Sequence, residues 1–185
     1  MEAEKGKVAV IGAGAAGLSA ALVLKKQHIE VEIYEKESEP GGHLNRWHAL
    51  FPGREEAPVV RNALINEAKA AGLNVMTNSS VDELAKEENK FRVVTDRGEI
   101  RDYSAVIIAS GFQLFEASRK EEYGYRIYPR VITSADFETL FHDPANGLQV
   151  KGRSPEKVAF VHCVGSRDAK VGNHYCSRVC CITGV

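Results

Sequence analysis

The residue types with the clearest chemical potential are the four cysteines of this 185-residue chain, all near its C-terminal end. They are Cys163, Cys176, Cys180 and Cys181. A disulfide framework would be spread through a small domain, so this bunching favours ligands for one inorganic centre. A structural zinc site usually draws on C-x(2-4)-C pairs, whereas adjacent Cys180 and Cys181 can each bind a different iron of a [4Fe-4S] cubane. The spacing therefore favours a [4Fe-4S] cluster, and zinc or free or disulfide-bonded cysteines are the alternatives.

A glycine-rich turn near the N-terminus carries a second chemical signal. The apolar run Lys7–Ile11 leads into Gly12-Ala13-Gly14-Ala15-Ala16-Gly17, and an apolar helical pattern follows to about Gln27. Glycines in such a unit let backbone N–H groups approach a pyrophosphate at the positive end of the helix. A second strand, Val31–Tyr34, ends at Glu35, and this spacing suits a carboxylate that accepts hydrogen bonds from a ribose. The order of these elements predicts dinucleotide binding by a Rossmann-like unit.

Two further patterns indicate that the dinucleotide is FAD. Gly41 and Gly42 follow Glu35, and this Glu-x5-Gly-Gly extension resembles the FAD signature of the glutathione-reductase and thioredoxin-reductase class of flavoproteins. The run Ala105–Ala109 is predicted to be a buried strand and continues into Ser110-Gly111, which resembles the segment that closes the FAD domain of that class. Each feature alone would also fit an ordinary exposed acid or an ordinary turn. The predicted FAD-binding residues are Gly12, Gly14, Ala15, Ala16, Gly17, Glu35, Lys36, Gly41, Gly42, Val81, Ala109, Ser110 and Gly111.

The pattern between these two signals is typical of an α/β protein. Pro58–Ala71 is predicted to be a helix, Leu73–Met76 a third parallel strand and Asn78–Asp82 a turn. Strands Phe91–Thr95 and Glu99–Tyr103 are predicted to form a hairpin. The predicted fold class is α/β: a three-layer Rossmann-like FAD-binding domain with a mainly parallel sheet and a β-meander.

The remainder of the chain is predicted to form a connector and the start of a second Rossmann-like unit. We assign 1–115 to the FAD-binding domain, 116–154 to the connector and 155–185 to the truncated second unit. A short helix is expected over Ala135–Phe141 under a Ser134 cap. Lys157–Val161 is expected to be another buried strand, and Cys176–Val185 the first turns of a helix. Because that second unit would be incomplete, the fragment is expected to turn over no substrate by itself.

Composition excludes several classes of partner. The formal net charge of -1 provides no strong field to attract nucleic acid or an anionic membrane. No apolar stretch approaches the roughly 20 residues needed to span a bilayer, and the opening sequence MEAEKGK lacks the apolar core of a signal peptide. We therefore predict a cytoplasmic protein, in which reduced thiols survive, with no nucleic-acid partner and no membrane span.

The C-terminal segment HCVGSRDAKVGNHYCSRVCC resembles the signature of the heterodisulfide reductase A-subunit family. The N-terminal motifs fit the same family, so the resemblance covers nearly the whole chain. It implies a thioredoxin-reductase-like flavoprotein core, a [4Fe-4S] cluster held by the four cysteines, and other electron-transfer subunits as partners. The sequence departs from the family's methanogen members in two places: Gly53-Arg54-Glu55-Glu56 contains no cysteine, and ferredoxin-like C-x2-C-x2-C motifs are missing.

The expected function is that of an FAD-dependent, cluster-containing electron-transfer oxidoreductase. A flavin accepts two electrons and can release them singly, whereas a cubane accepts one at a time. One alternative is a thioredoxin-reductase-like pyridine nucleotide-disulfide oxidoreductase, which normally uses a C-x-x-C pair that this sequence lacks. The other is a non-catalytic scaffold that binds a nucleotide and zinc.

Residues around the cysteines could tune the cluster. Ser166 and backbone amides could donate hydrogen bonds to its sulfur atoms. Four basic residues could offset the charge of the thiolates, and an ordinary solvated surface is the alternative reading of them. These residues are Arg167, Lys170, His174 and Arg178.

Overall fold

The computed structural model describes residues 6–142, 148–176 and 178–183, without the side chains of residues 182 and 183. These residues divide into two units. The first, which we call the glycine unit, contains residues 6–45 and 57–112. The second, which we call the cysteine unit, contains residues 46–56 and those described from 113 onwards.

The secondary-structure elements follow one another in the order expected of an α/β chain. The strands are β1 (Val8–Ile11), β2 (Val31–Tyr34), β3 (Ala49–Leu50), β4 (Glu55–Glu56), β5 (Asn74–Met76), β6 (Val81–Glu87), β7 (Lys90–Thr95), β8 (Ile100–Tyr103) and β9 (Ala105–Ile108). The helices are α1 (Ala15–Lys26), α2 (Ala57–Ala70), α3 (Ser134–Thr139) and α4 (Cys180–Thr183).

The central sheet of the glycine unit is parallel and has the strand order β5-β2-β1-β9. Its strands are short apolar runs, and their carboxyl ends meet at one edge of the sheet, where parallel sheets place their ligands. The third parallel strand predicted after the second helix is therefore confirmed. Strand β9 also forms where it was predicted, but the expectation that it is buried is wrong: Ile108 is 66% exposed because β9 is an edge strand here.

The sheet is covered on both faces. Val10 and Ile33 pack against Leu18 of α1 and Ala68 of α2. Side chains alternate between the two faces of a strand, so Ala9 and Tyr34 point the other way and pack with Val93 and Tyr103 of the meander. The predicted three-layer arrangement of helices, parallel sheet and meander is confirmed.

The meander has three antiparallel strands in the order β6-β7-β8. The predicted hairpin is its second half, β7 and β8. The first strand, β6, begins at Val81, where the sequence predicted a turn through Asp82, so that part of the prediction is wrong. Strand β6 is largely charged and exposed, and it is held by backbone pairing with β7 rather than by an apolar pattern.

A buried polar network joins the sheet to the meander. The hydroxyl groups of Tyr34 and Tyr103 lie 2.5 Å apart, and Tyr103 donates to Glu32 Oε2 at 2.5 Å. The other carboxylate oxygen of Glu32 accepts from Lys7 at 2.9 Å and from Arg101 at 3.0 Å. Every polar group in the network therefore has a partner, as a buried polar group requires.

The cysteine unit differs from the sequence-based expectations in three places. Residues 157–161 do not form a strand, since no strand among the described residues pairs with them, and Val158, Phe160 and Val161 are each more than half exposed. Helix α3 is capped by Thr133 rather than by Ser134, because Thr133 and Asp136 bond reciprocally. The last helix begins at Cys180 instead of Cys176; the predicted continuation to residues 184 and 185 lies outside the described residues.

No helix among the described residues is both long enough and apolar enough to cross a membrane.

Candidate functional site

The glycine-rich turn connects β1 to α1 at the carboxyl edge of the parallel sheet. Gly12 has a φ of 105°, and a Cβ at this position would lie 2.3 Å from the carbonyl oxygen of Ala109. A Cβ on Gly17 would lie 1.9 Å from the carbonyl oxygen of Gly12. Gly12 and Gly17 are thus required by close packing of the turn against its neighbours.

Gly14 has a different environment. A Cβ on this residue would meet only the Cα of Gly42, at an ordinary contact distance of 4.0 Å. Gly14 also has φ −75° and ψ −173°, a conformation open to any residue. The fold itself does not require glycine at position 14, so the space in front of it is free for a ligand at the N-terminus of α1.

The second glycine pair reaches the same turn. The N–H of Gly41 donates to the carbonyl oxygen of Ala13 at 2.8 Å. A Cβ on Gly42 would lie 3.1 Å from the Cα of Gly14. The structure therefore brings the two glycine motifs into direct backbone contact.

Glu35 is buried at the end of β2, where it is 5% exposed. Its Oε2 atom accepts from the N–H of Ala13 at 2.8 Å, and its Oε1 atom accepts from the N–H of Glu37 at 2.9 Å. These bonds fix the carboxylate beside the glycine turn. A carboxylate oxygen can accept more than one hydrogen bond, so both oxygens keep capacity for a ribose hydroxyl.

The remaining predicted residues occupy several positions around this edge. Ala15 and Ala16 form the exposed first turn of α1, and Lys36 is exposed with its ammonium 3.9 Å from Glu37. Ala109 follows β9 and donates to the carbonyl of Ile11 at 2.8 Å. Ser110 and Gly111 are exposed directly after it, and Val81 packs at the start of β6 against the core cluster of Ala9 and Tyr34.

Two polar residues near this edge, Ser79 and His43, were not predicted from the sequence. The N–H of buried Ser79 donates to the carbonyl of Glu35 at 2.9 Å. The ring of His43 stacks on Phe112 with centroids 4.3 Å apart, and its Nε2 lies 2.9 Å from the Phe112 carbonyl oxygen. No spacing rule links such distant positions. The available signal was that Ser79 follows a predicted strand and His43 follows a glycine pair.

The four cysteines occupy the end of the cysteine unit. Cys163 and Cys176 flank a loop closed by an antiparallel bridge between Asp168 and Asn173. The N–H of Arg178 donates to Cys176 Sγ at 3.4 Å, a bond of the kind that stabilises a thiolate ligand. All four residues are free cysteines, half-buried except for exposed Cys181.

The thiols influence one another electrostatically. The charge of Cys180 and its hydrogen bond, then burial and the charges of Cys163 and Cys176, raise the pKa of the Cys181 thiol. The sulfur atom of Cys181 therefore lies within electrostatic range of the other three. Within the described ranges, however, no three His, Cys, Asp or Glu side chains have the arrangement of a metal site. The chemistry of the donor set fits an iron-sulfur cluster, and its side chains have not converged on one centre.

One hydroxyl group and four basic residues were expected to surround the cysteines. Ser166 Oγ donates to the carbonyl oxygen of Tyr175 at 3.0 Å. The four basic residues are exposed, which agrees with an ordinary solvated surface as well as with charge compensation. They are Arg167, Lys170, His174 and Arg178.

Comparison with protein families identifies one that covers most of the chain. The pyridine nucleotide-disulphide oxidoreductase family matches residues 6–136. Among solved structures, thioredoxin reductase from Lactococcus lactis superposes with a TM-score of 0.54 at 23% identity, over 65% of this chain and 41% of that one. That likeness shows the fold, in agreement with the predicted Rossmann-like architecture.

Curated relatives are more similar in sequence over a shorter stretch. The A-subunit of the ferredoxin:CoB-CoM heterodisulfide reductase of Methanosarcina mazei is 50% identical over 86 residues, which is 44% of this chain and 11% of that protein. The iron-sulfur A-subunit of the CoB-CoM heterodisulfide reductase of Methanocaldococcus jannaschii is 48% identical over 82 residues, or 42% of this chain and 12% of that protein. These matches confirm the resemblance to the heterodisulfide reductase A-subunit family over less than half of the chain, rather than over nearly all of it as expected. They span only 11% and 12% of those relatives' length.

Proposed function

The chain belongs to the pyridine nucleotide-disulphide oxidoreductase family, and from this premise we propose that it carries the FAD site and a [4Fe-4S] site of an electron-transfer oxidoreductase. The observation that carries the proposal is the convergence of both glycine motifs and Glu35 on one sheet edge. The similarity to heterodisulfide reductase subunits supports the same class of protein.

The residues of the glycine unit would hold FAD in a defined orientation. Gly14 leaves space for the pyrophosphate at the N-terminus of α1, and the N–H groups of that first turn are the donors. Glu35 would accept hydrogen bonds from the adenosine ribose, since its backbone bonds already fix its position. Ala109-Ser110-Gly111 would close the site at the end of β9.

The residues of the cysteine unit would hold the cluster. Cys163, Cys176, Cys180 and Cys181 supply one thiolate for each iron of a cubane. A thiol must lose its proton to bind iron, so cluster assembly would release protons. When both groups are bound, FAD exchanges two electrons and the cluster one at a time, which makes a two-to-one electron converter.

The partners of such a converter are other electron-transfer subunits. The similar proteins are named as subunits of heterodisulfide reductases, and an iron-sulfur protein or ferredoxin is the chemical class that exchanges single electrons with a cubane. We propose a cytoplasmic location, where the thiols stay reduced.

The FAD site is tested by replacing Gly14 with valine. The Gly14→Val variant should fold normally, because the added carbon has space in the protein, and should lose bound flavin by steric exclusion of the pyrophosphate. Flavin absorbance per chain after purification is the measurement. Ser19→Val, which adds the same side chain at an exposed position of α1, is the control and should retain FAD. Stoichiometric FAD in Gly14→Val would show that the assignment is wrong.

The cluster site is tested by anaerobic reconstitution with iron and sulfide. Wild-type protein should bind iron and acid-labile sulfide, and Cys181→Ala should lose or open the cluster while it keeps FAD, whose binding residues lie in the glycine unit. Stoichiometric zinc without sulfide in the wild-type protein would contradict the electron-transfer proposal and favour the zinc-binding scaffold.

A further inference from the structure

The loop between Cys163 and Cys176, which we call the cysteine loop, is closed on itself. Backbone N–H and carbonyl groups of Asp168 and Asn173 pair in both directions, at 2.6 and 3.0 Å. The N–H of Arg167 donates to the carbonyl of Tyr175 at 3.0 Å. These bonds hold the two ends of the loop side by side, so the position of the loop determines where both cysteines are presented.

A buried lysine from another segment contacts this loop. The side chain of Lys120 is 8% exposed, and its ammonium lies 2.6 Å from Asp168 Oδ2 and 2.6 Å from Glu122 Oε1. Asp168 uses its other carboxylate oxygen to accept from the N–H of Lys170 at 2.9 Å. Asp168 thus links the Lys120 ammonium to the backbone of the cysteine loop through two oxygens of one carboxylate.

The burial of Lys120 is unusual within its unit. It is the single charged side chain that is buried among the described residues of the cysteine unit. Burial of a lysine is unfavourable unless its charge is paired, and the hydrogen bonds and charges of Asp168 and Glu122 raise the pKa of Lys120. The ammonium is therefore retained as a charge, and both of its partners are fixed by it.

Two residues that precede Lys120 in the chain, Phe115 and Arg119, also contact the cysteine loop. Gly165 is buried, and a Cβ on it would lie 2.3 Å from the ring of Phe115. Arg119 donates to the carbonyl of Val171 at 3.4 Å. The segment 115–120 therefore contacts the cysteine loop at three points, and the contact of Lys120 with Asp168 is shorter than the Arg119 hydrogen bond.

We propose that Lys120 is a positioning residue for the four-cysteine site: its ion pair with Asp168 fixes the cysteine loop so that Cys163 and Cys176 are presented together. The inference rests on the cluster proposed above. Lys120 acts through position rather than through charge on the cluster, because its two carboxylate partners already neutralise it. An ordered loop lowers the conformational entropy lost when thiolates converge on a cluster.

The first test measures loop order without metal. In iron-free, full-length chain, Lys120→Met should accelerate amide hydrogen exchange across the cysteine loop by roughly tenfold or more, because the closed loop then opens more often. Lys157→Met, which removes an exposed lysine of the same unit, should leave that exchange unchanged. Lys120→Arg should restore protection, since a guanidinium can pair with both carboxylates. Unchanged exchange in Lys120→Met would overturn the proposal.

The second test measures the cluster itself. After anaerobic reconstitution, Lys120→Met should hold less iron and sulfide than wild type and give a broadened or altered electron paramagnetic resonance spectrum on reduction, while it retains FAD as evidence of folding. Lys120→Arg should recover both signals. Equal iron, sulfide and spectrum in wild type and Lys120→Met would overturn the positioning role alone. Absence of iron and sulfide from wild type would instead overturn the proposed cluster, and with it this role.

Discussion

The glycine unit and the cysteine unit are stabilised in different ways. Every apolar side chain that is buried among the described residues belongs to the glycine unit, and the largest of these are Tyr34, Tyr103 and Leu18. In the cysteine unit, the buried residues described are Gly124, Gly165 and Lys120. The first unit therefore resembles an ordinary folded domain with an apolar core.

This difference indicates where a bound group matters most for stability. A region with few buried apolar side chains gains little from the hydrophobic effect and relies on hydrogen bonds, ion pairs or metal ligands. In the cysteine unit, the contacts of that kind include the ion pair of Lys120 with Asp168, and the four thiols are candidate metal ligands. We expect the glycine unit to keep its fold without any ligand, and the proposed cluster to add stability mainly to the cysteine unit.

The largest expected effect concerns the core of the glycine unit. Leu18 is fully buried, so Leu18→Ala should lower the free energy of unfolding of this unit by about 2–5 kcal/mol, through lost burial and the cavity left behind. Chemical denaturation followed by circular dichroism is the measurement. Val23→Ala, at a position of the same helix that is 59% exposed, is the matched control and should change little.

The corresponding substitution in the cysteine unit tests whether that unit lacks an apolar core. Phe160 is 54% exposed, so Phe160→Ala should cost well under the Leu18→Ala value. A loss for Phe160→Ala as large as that for Leu18→Ala would show that the cysteine unit has an apolar core after all.

An intermediate effect is expected from acid on the polar network of the glycine unit. Burial acts to raise the pKa of the Glu32 carboxyl, but hydrogen bonds from Tyr103 and Lys7 and the charge of Lys7 outweigh it, so the pKa is lowered. A carboxyl with a lowered pKa in the folded state contributes stability above its unfolded pKa, and this contribution is lost as pH falls below about 4.5 through the folded value.

The measurement is the unfolding free energy as a function of pH. Glu32→Gln should reduce stability at neutral pH by about 1–3 kcal/mol and flatten the acid side of the profile. Glu39→Gln, which changes an exposed acid of the same unit, should leave the profile as in wild type. If the unfolding free energy of Glu32→Gln falls with decreasing pH as steeply as that of wild type, another carboxyl controls this transition.

The smallest expected effect is local and lies in the cysteine unit. Thr133→Ala removes the side-chain half of a capping box with Asp136, which should destabilise α3 by about 1 kcal/mol. The exchange rate of the Phe137 amide, which donates to the Thr133 carbonyl, reports this change. Ser134→Ala is the control, because Ser134 is the first residue of the helix and not its cap. A larger effect for Ser134→Ala would reverse the assignment of the cap.

Local patterns were sufficient to predict most elements of the glycine unit. The strand, glycine turn, helix and second strand occur where the apolar runs and the glycines placed them, since each signal is contained within a few consecutive residues. Gly41 and Glu35, which were singled out by their spacing in the sequence, both hydrogen-bond to Ala13 of that turn in the structure. In the cysteine unit, the bunching of the cysteines and the short helix α3 could be recognised in this way.

Tertiary structure decided what depends on partners distant in the chain. Strand β6 is charged and was missed because backbone pairing with β7 stabilises it, and Val158 and Phe160 looked like a buried strand but lack a neighbouring strand among the described residues. The ion pair of Lys120 with Asp168 joins positions that no local pattern relates. A sequence pattern records which backbone conformation a segment favours, whereas burial and ion pairing depend on which distant segment lies against it.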